Sequence, residues 1–262
     1  MKRRYTVLAL VAGVHATAGL IVLAQSQNAS PAAAAASGGT ATPQGTGAGP
    51  FVTQFQSKSL EPDIQHGAVI AAQGTATGAP ACAQCHAYNG VSDASGAFPR
   101  IAGQSRSYLA EQLRDFASGA RNNAFMTPIA KALSAQDMAD VAAYYASTNA
   151  PTLPLKPPQA ALVKAGETLA TVGNAQRQIQ SCNNCHGPGG AGQRPAIPYL
   201  EGQYANYTTF TLREWQRGYR KNSPDQMAVQ AKKLNDQEIA AVSAYYQQVP
   251  SPVNVAEAQP KE

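Results

Sequence analysis

Two short stretches constrain this chain more than anything else in it: Ala81-Cys82-Ala83-Gln84-Cys85-His86-Ala87 and Ser181-Cys182-Asn183-Asn184-Cys185-His186-Gly187. In each, two thiols stand three positions apart and a histidine follows at once. Thiols at that spacing can add across the two vinyl groups of a haem while the adjacent imidazole binds the iron. A redox dithiol needs no histidine beside it. A zinc site built from all four thiolates would leave both histidines without a role. The chain has only four cysteines, all in these motifs, so none remains for a structural disulfide. The reading is two covalently bound haem c groups, attached through Cys82, Cys85, Cys182 and Cys185, with His86 and His186 as iron ligands.

The surroundings of the two motifs repeat at an offset of about 100 residues, which indicates duplication of one domain rather than a solenoid. A helix with small residues at helical spacing begins near His66-Gly67 and ends toward Gly74; its copy runs from Gly166 to Gly173. Past each motif comes a proline turn, Phe98-Pro99 against Ile197-Pro198. An amphipathic helix follows, closed by Gly119 or Gly218. A loop then carries one methionine, and the unit ends in a helix opened by Ser134 or Asn235 with an acid three residues on, the capping-box spacing. No strand pattern appears, so the fold class is all-α. The predicted first domain spans 58–148, the linker 149–158, the second domain 159–250 and a tail 251–262. Four prolines in the linker favour a stiff, extended connector and hence separate lobes at a constrained spacing.

The second axial ligand of each iron follows by counting. The chain has four histidines, His15, His66, His86 and His186, and His15 falls in the N-terminal apolar run. Two bis-histidine sites would need four outside that run, and only three exist. Met126 and Met227 lie 40 and 41 residues after His86 and His186, each seven before a matched leucine, and are taken as the iron ligands opposite them. Met138 aligns with Ile239 on an apolar helix face and reads as core. His66, whose repeat partner is Ala165, reads as a surface residue at a helix start. Tyr144-Tyr145 and Tyr245-Tyr246 read as helix packing. Arg100, Arg121, Arg194 and Arg220 could meet haem propionates, with solvated surface as the default for each.

Met1-Lys2-Arg3-Arg4 followed by the uncharged Tyr5–Ala24 run marks residues 1–24 as an export signal or a membrane anchor. Residues 25–57, rich in Ala, Gly, Ser, Thr and Pro, make a tether, which favours an anchor on the periplasmic side of a bacterial cytoplasmic membrane. The formal charge of +5 contains +3 from Lys2, Arg3 and Arg4. Residues 51–150 carry six basic and seven acidic side chains, whereas 151–262 carry eleven and eight. With haem propionates added, the exported body is near neutral or acidic, which gives no indication of nucleic-acid binding. The inequality between the halves can orient the molecule between two partners.

Together the two C-x-x-C-H sites, the proline turns, the methionine loops and the closing Tyr-Tyr helices resemble a tandem class I cytochrome c, and most the dihaem cytochrome c4 family, over roughly residues 60–250. The resemblance implies two helical domains with haems near their interface, histidine–methionine ligation at each, and electron transfer toward terminal oxidases. It also favours a role for Pro99 and Pro198 beyond turning the chain: a carbonyl there would accept the imidazole's other N–H. The function expected is an electron carrier between a redox donor and acceptor, such as a quinol-oxidising complex, a dehydrogenase or an oxidase. A peroxidase-like dihaem enzyme and a haem subunit of a membrane dehydrogenase or oxidase are the alternatives.

Overall fold

Ser134 and Asn235 each begin a helix with a complete capping box: the side chain of each accepts from the amide three residues on, and Asp137 or Glu238 accepts from the cap residue's own amide. These helices close two copies of a five-helix unit in a computed structural model that describes residues 60–93, 95–150, 153 and 155–250. The first unit comprises α1 (Ile64–Gln73), α2 (Ala83–His86), α3 (Arg106–Ser118), α4 (Met126–Lys131) and α5 (Ala135–Ser147). The second comprises α6 (Ala160–Thr171), α7 (Asn183–His186), α8 (Ala205–Arg217), α9 (Met227–Lys233) and α10 (Asp236–Gln248). Among the described residues only isolated β-bridges occur. The expected export segment or anchor, the tether and the C-terminal tail lie outside the described residues, as do Pro151 and Pro154 of the linker. No helix of the described residues is long and apolar enough to cross a membrane.

In each unit the first helix packs against the last, α1 on α5 and α6 on α10. A glycine makes the approach close: a Cβ on Gly67 would stand 2.1 Å from the Asp140 carbonyl oxygen, and one on Gly166 2.0 Å from that of Ala241. Both helices start earlier than the sequence suggested. Asp63 accepts from the amides of Gln65 and His66 and so opens α1 at Ile64, two residues before His66; α6 opens at Ala160, six before Gly166. Helices α3 and α8 end where expected, at Gly119 and Gly218 in the left-handed region. The cores are Ile70, Leu133, Met138, Val141 and the Tyr144-Tyr145 pair in one unit, and Leu169, Leu212, Trp215, Ile239 and Val242 in the other. Met138 is core, as read.

His66 is exposed at the start of α1, but it is not a bystander. Its Nδ1 lies 2.7 Å from Asp140 Oδ2, and the Asp63 amide and Gln136 donate to Asp140 Oδ1 at 2.7 Å each. The bond to Asp140 raises the His66 pKa against a small effect of burial. Burial pushes the Asp140 carboxyl up, and the bonds from His66, the Asp63 amide and Gln136 together carry it below its usual value. The repeat partners are Ala165 and Ala241, so the second unit has no such clasp. The Asp140 contribution is present above the ordinary carboxylate range; that of His66 is present below about pH 6.5 and is lost as pH rises through its raised value. Thermal melts should therefore show His66→Ala less stable than the unaltered chain by about 0.5–1 kcal/mol at pH 5.5, with the difference shrinking toward pH 8.5.

The two units do not stand apart at the ends of a stiff linker; they pack into one compact body. Backbone bonds cross between them, from Lys221 N to Ala120 O at 2.8 Å and from Asn122 N to Tyr219 O at 3.3 Å. The surface default for the arginines fails for three of the four, because Arg100, Arg121 and Arg220 are buried. Arg121 donates to Gln112 Oε1 at 3.0 Å and across to the Tyr207 hydroxyl at 2.9 Å, and lies over the Phe116 ring. Arg220 donates across to the same Gln112 Oε1 at 3.0 Å and lies over Trp215. Arg100 donates to the Tyr199 hydroxyl and the Ala150 carbonyl, both at 2.9 Å. Aromatic faces and neutral oxygens, with the buried Glu214 carboxyl near Arg121 and Arg220 and that of Glu201 near Arg100, hold these cations where water is excluded.

Candidate haem sites

Each C-x-x-C-H motif forms a single helical turn, α2 or α7, in which the histidine amide returns to the first cysteine's carbonyl at 2.9 Å. The turn puts both thiols and the imidazole on one short element. The chain then leaves through positive φ, 57° at Ala87 and 76° at Gly187. The closing helices hold the first exit in place: the Tyr145 hydroxyl donates to the Ala87 carbonyl at 3.1 Å and that of Tyr144 to Tyr88 at 2.7 Å. In the second unit the Tyr246 hydroxyl donates to Asn183 Oδ1 inside the motif at 2.9 Å. The tyrosine pairs are packing residues, as the sequence suggested, and the hydroxyls of Tyr144, Tyr145 and Tyr246 also fix the motifs and their exits.

No disulfide joins any of the four cysteines. Burial pushes Cys82 up to about 11 and raises Cys182 as well, so both stand as thiols rather than thiolates. Among the described residues no group of three or more His, Cys, Asp or Glu side chains is placed to hold a metal ion, so the two cysteine pairs do not converge on a zinc site. His86 Nδ1 lies 3.3 Å from the Pro99 carbonyl oxygen and His186 Nδ1 2.9 Å from that of Pro198. Nδ1–H donates to the carbonyl in each, and Nε2 is the nitrogen left with a lone pair. Burial lowers both histidine pKa values, partly offset by these carbonyls, so both imidazoles are neutral at pH 7. Thiols, a fixed neutral imidazole and a carbonyl behind it suit a covalently attached haem.

Met126 and Met227 do not sit in loops. Each is the first residue of a short helix, α4 or α9, and each is half-buried. Asn123 Oδ1 accepts from the Met126 amide at 3.0 Å, and Ser223 Oγ from the Met227 amide at 3.4 Å. Short polar side chains at these turns make loop and helix start hard to separate in the sequence.

A profile of the cytochrome c family matches residues 67–149 and again 166–250. The chain belongs to the cytochrome c family. It is 40% identical over 193 residues to the thiosulfate dehydrogenase electron acceptor of Stutzerimonas stutzeri (strain A1501), covering 73% of this chain and 89% of that protein. It is 44% identical over 172 residues to the cytochrome c4 of Thiocapsa roseopersicina, covering 63% and 85%. The crystal structure of reduced recombinant cytochrome c4 from Pseudomonas stutzeri superposes with a TM-score of 0.64 at 32% identity, over 72% of this chain and all of that one. This cytochrome c therefore carries two tandem domains with two covalent haem c groups, and it is a cytochrome c4-like electron carrier rather than an enzyme.

Sequence reasoning missed Gln104 and Gln203, which are buried between the two units. Gln203 Oε1 accepts from Arg100 N at 3.0 Å, and its Nε2 donates to Arg100 O at 2.9 Å. Gln104 makes the mirror pair with Tyr199, accepting from N and donating to O, both at 3.3 Å. The signal was available: each glutamine ends a matched Pro-x-x-x-Gly-Gln turn, Pro99 to Gln104 and Pro198 to Gln203.

Proposed function

We propose that this cytochrome passes electrons by outer-sphere transfer through two haems, each closed by a histidine and a methionine, His86 with Met126 and His186 with Met227. We propose further that it takes them from a thiosulfate-oxidising dehydrogenase and hands them toward a terminal oxidase, on the periplasmic side of the membrane. Haem supplies a one-electron change at its iron. The observation that supports this reading best is the pair of neutral imidazoles, His186 buried and His86 half-buried, tied at Nδ1 to Pro99 and Pro198. Such a tie fixes ring and tautomer and leaves Nε2 to bind. Repeat-matched methionines on α4 and α9 would fill the opposite positions, leaving none for a substrate. Thioether ligation also favours a high potential. The donor rests on the relative named as a thiosulfate dehydrogenase electron acceptor, most of whose length this chain covers.

In the purified chain, the weak long-wavelength band of ferric iron bound to methionine should integrate to two per chain. One band per chain, or a high-spin ferric signal at neutral pH, would sink the double histidine–methionine assignment. Mixed with a thiosulfate dehydrogenase and thiosulfate, both haems should become reduced; no reduction would remove that donor.

A further inference from the structure

We infer that Gln104 and Gln203 are positioning residues, each setting the iron-binding histidine of the other unit. The inference rests on the proposed role of His86 and His186 as ligands and adds the groups that orient them. A peptide unit is one planar body, and the unit joining Pro99 to Arg100 carries two bonds. Its carbonyl oxygen faces His86 Nδ1 at 3.3 Å, and its N–H donates to Gln203 Oε1 at 3.0 Å. The unit joining Pro198 to Tyr199 is held the same way, by His186 at 2.9 Å and by Gln104 Oε1 at 3.3 Å. An acceptor on the N–H polarises the peptide and makes its carbonyl a stronger acceptor, the more so at low local dielectric. Both glutamines, Arg100 and Tyr199 are buried, so water does not replace these bonds.

Each glutamine is itself fixed. The amides of Ser105 and Tyr204, the next residues in the chain, donate to Gln104 Oε1 at 2.9 Å and Gln203 Oε1 at 3.1 Å. The glutamine of one unit thus acts through the proline turn of the other. A firmer Nδ1–H···O bond makes the imidazole more basic and favours the ferric state, so loss of the glutamine should raise the potential of the opposite haem.

The test is a redox titration of the full holoprotein, with Met126→His marking the first-unit wave by displacing it. Gln203→Leu is expected to shift the first-unit wave upward and leave the second in place; Gln104→Leu should do the reverse. Asn206→Ala removes an exposed bond between the units, Asn206 Nδ2 to Ser95 O at 2.9 Å, without touching either proline turn, and should move neither wave. If Gln203→Leu yields no holoprotein, Gln203→Asn withdraws the same groups by one methylene and should give a smaller shift of the same sign. A shift in the glutamine's own unit, equal shifts in both, or none would overturn the inference while the ligand assignment stands. A Met126→His variant that moved neither wave would instead overturn the ligand assignment, and the inference with it.

Discussion

Met126→Ala and Met227→Ala should each abolish half of the long-wavelength methionine–iron absorption and lower one of the two midpoint potentials by a few tenths of a volt, a sizeable part of the ~0.8 V that axial ligands span. The two residues occupy equivalent places, at the first position of α4 and of α9, with their amides capped by Asn123 and Ser223. Each is half-buried, Met227 against the edge of the second core, so truncation removes only part of a packed side chain and the chain should stay folded. Met138 supplies the contrast. It lies in the first core, and Met138→Ala should cost about 2–4 kcal/mol of stability while leaving both bands intact. Absorption spectra of the three variants decide the matter: two full bands in Met126→Ala or Met227→Ala would remove that residue as a ligand.

Gly67→Ala and Gly166→Ala are expected to cost about 3 kcal/mol or more each, at or beyond the upper end of ordinary overpacking. The added carbon would stand 2.1 Å from Asp140 O or 2.0 Å from Ala241 O, well inside contact distance. Those oxygens belong to helix backbone, so no side chain can swing aside. The tyrosine Cβ atoms of Tyr144 and Tyr245 also lie 2.9 Å away and block a lateral escape. Helices α1 and α6 would have to lift off α5 and α10, and in the first unit α5 carries the hydroxyls that hold the exit from the haem motif. Haem content should fall with stability. Denaturant unfolding of holoprotein would measure the cost, and a loss below 1 kcal/mol would show that the helices can separate freely.

Much of this was legible because the chain was duplicated. The haem motifs, the capping boxes at Ser134 and Asn235, and the stops at Gly119 and Gly218 each depend on local chemistry, and each appears twice. The small-residue faces of α1 and α6 were also readable, since glycine at helical spacing permits close approach. Helix starts without such a signal were not: Gln159 opens α6 with no side-chain hydrogen bond. Contacts between the units were the main failure. Arg100, Arg121 and Arg220 look like surface residues because cations are seldom buried, and nothing local tells that Tyr199, Gln112 or an aromatic face awaits them. Matching positions for Arg121 and Arg220 in the repeat were the available hint. The asymmetric His66–Asp140 clasp was hidden for the same reason, its members being 74 residues apart.

The contacts between the units bear on what the covalent chain is for. Backbone bonds at Lys221 and Asn122, the buried arginines and the two glutamines join the halves at many points besides the connector. Leu153, in the linker, is exposed. A nicked molecule should still elute as one particle under native conditions and separate only in denaturant. The linker then matters mainly during synthesis, where it delivers the two halves in equal number and at high local concentration, a kinetic service that the finished protein no longer needs.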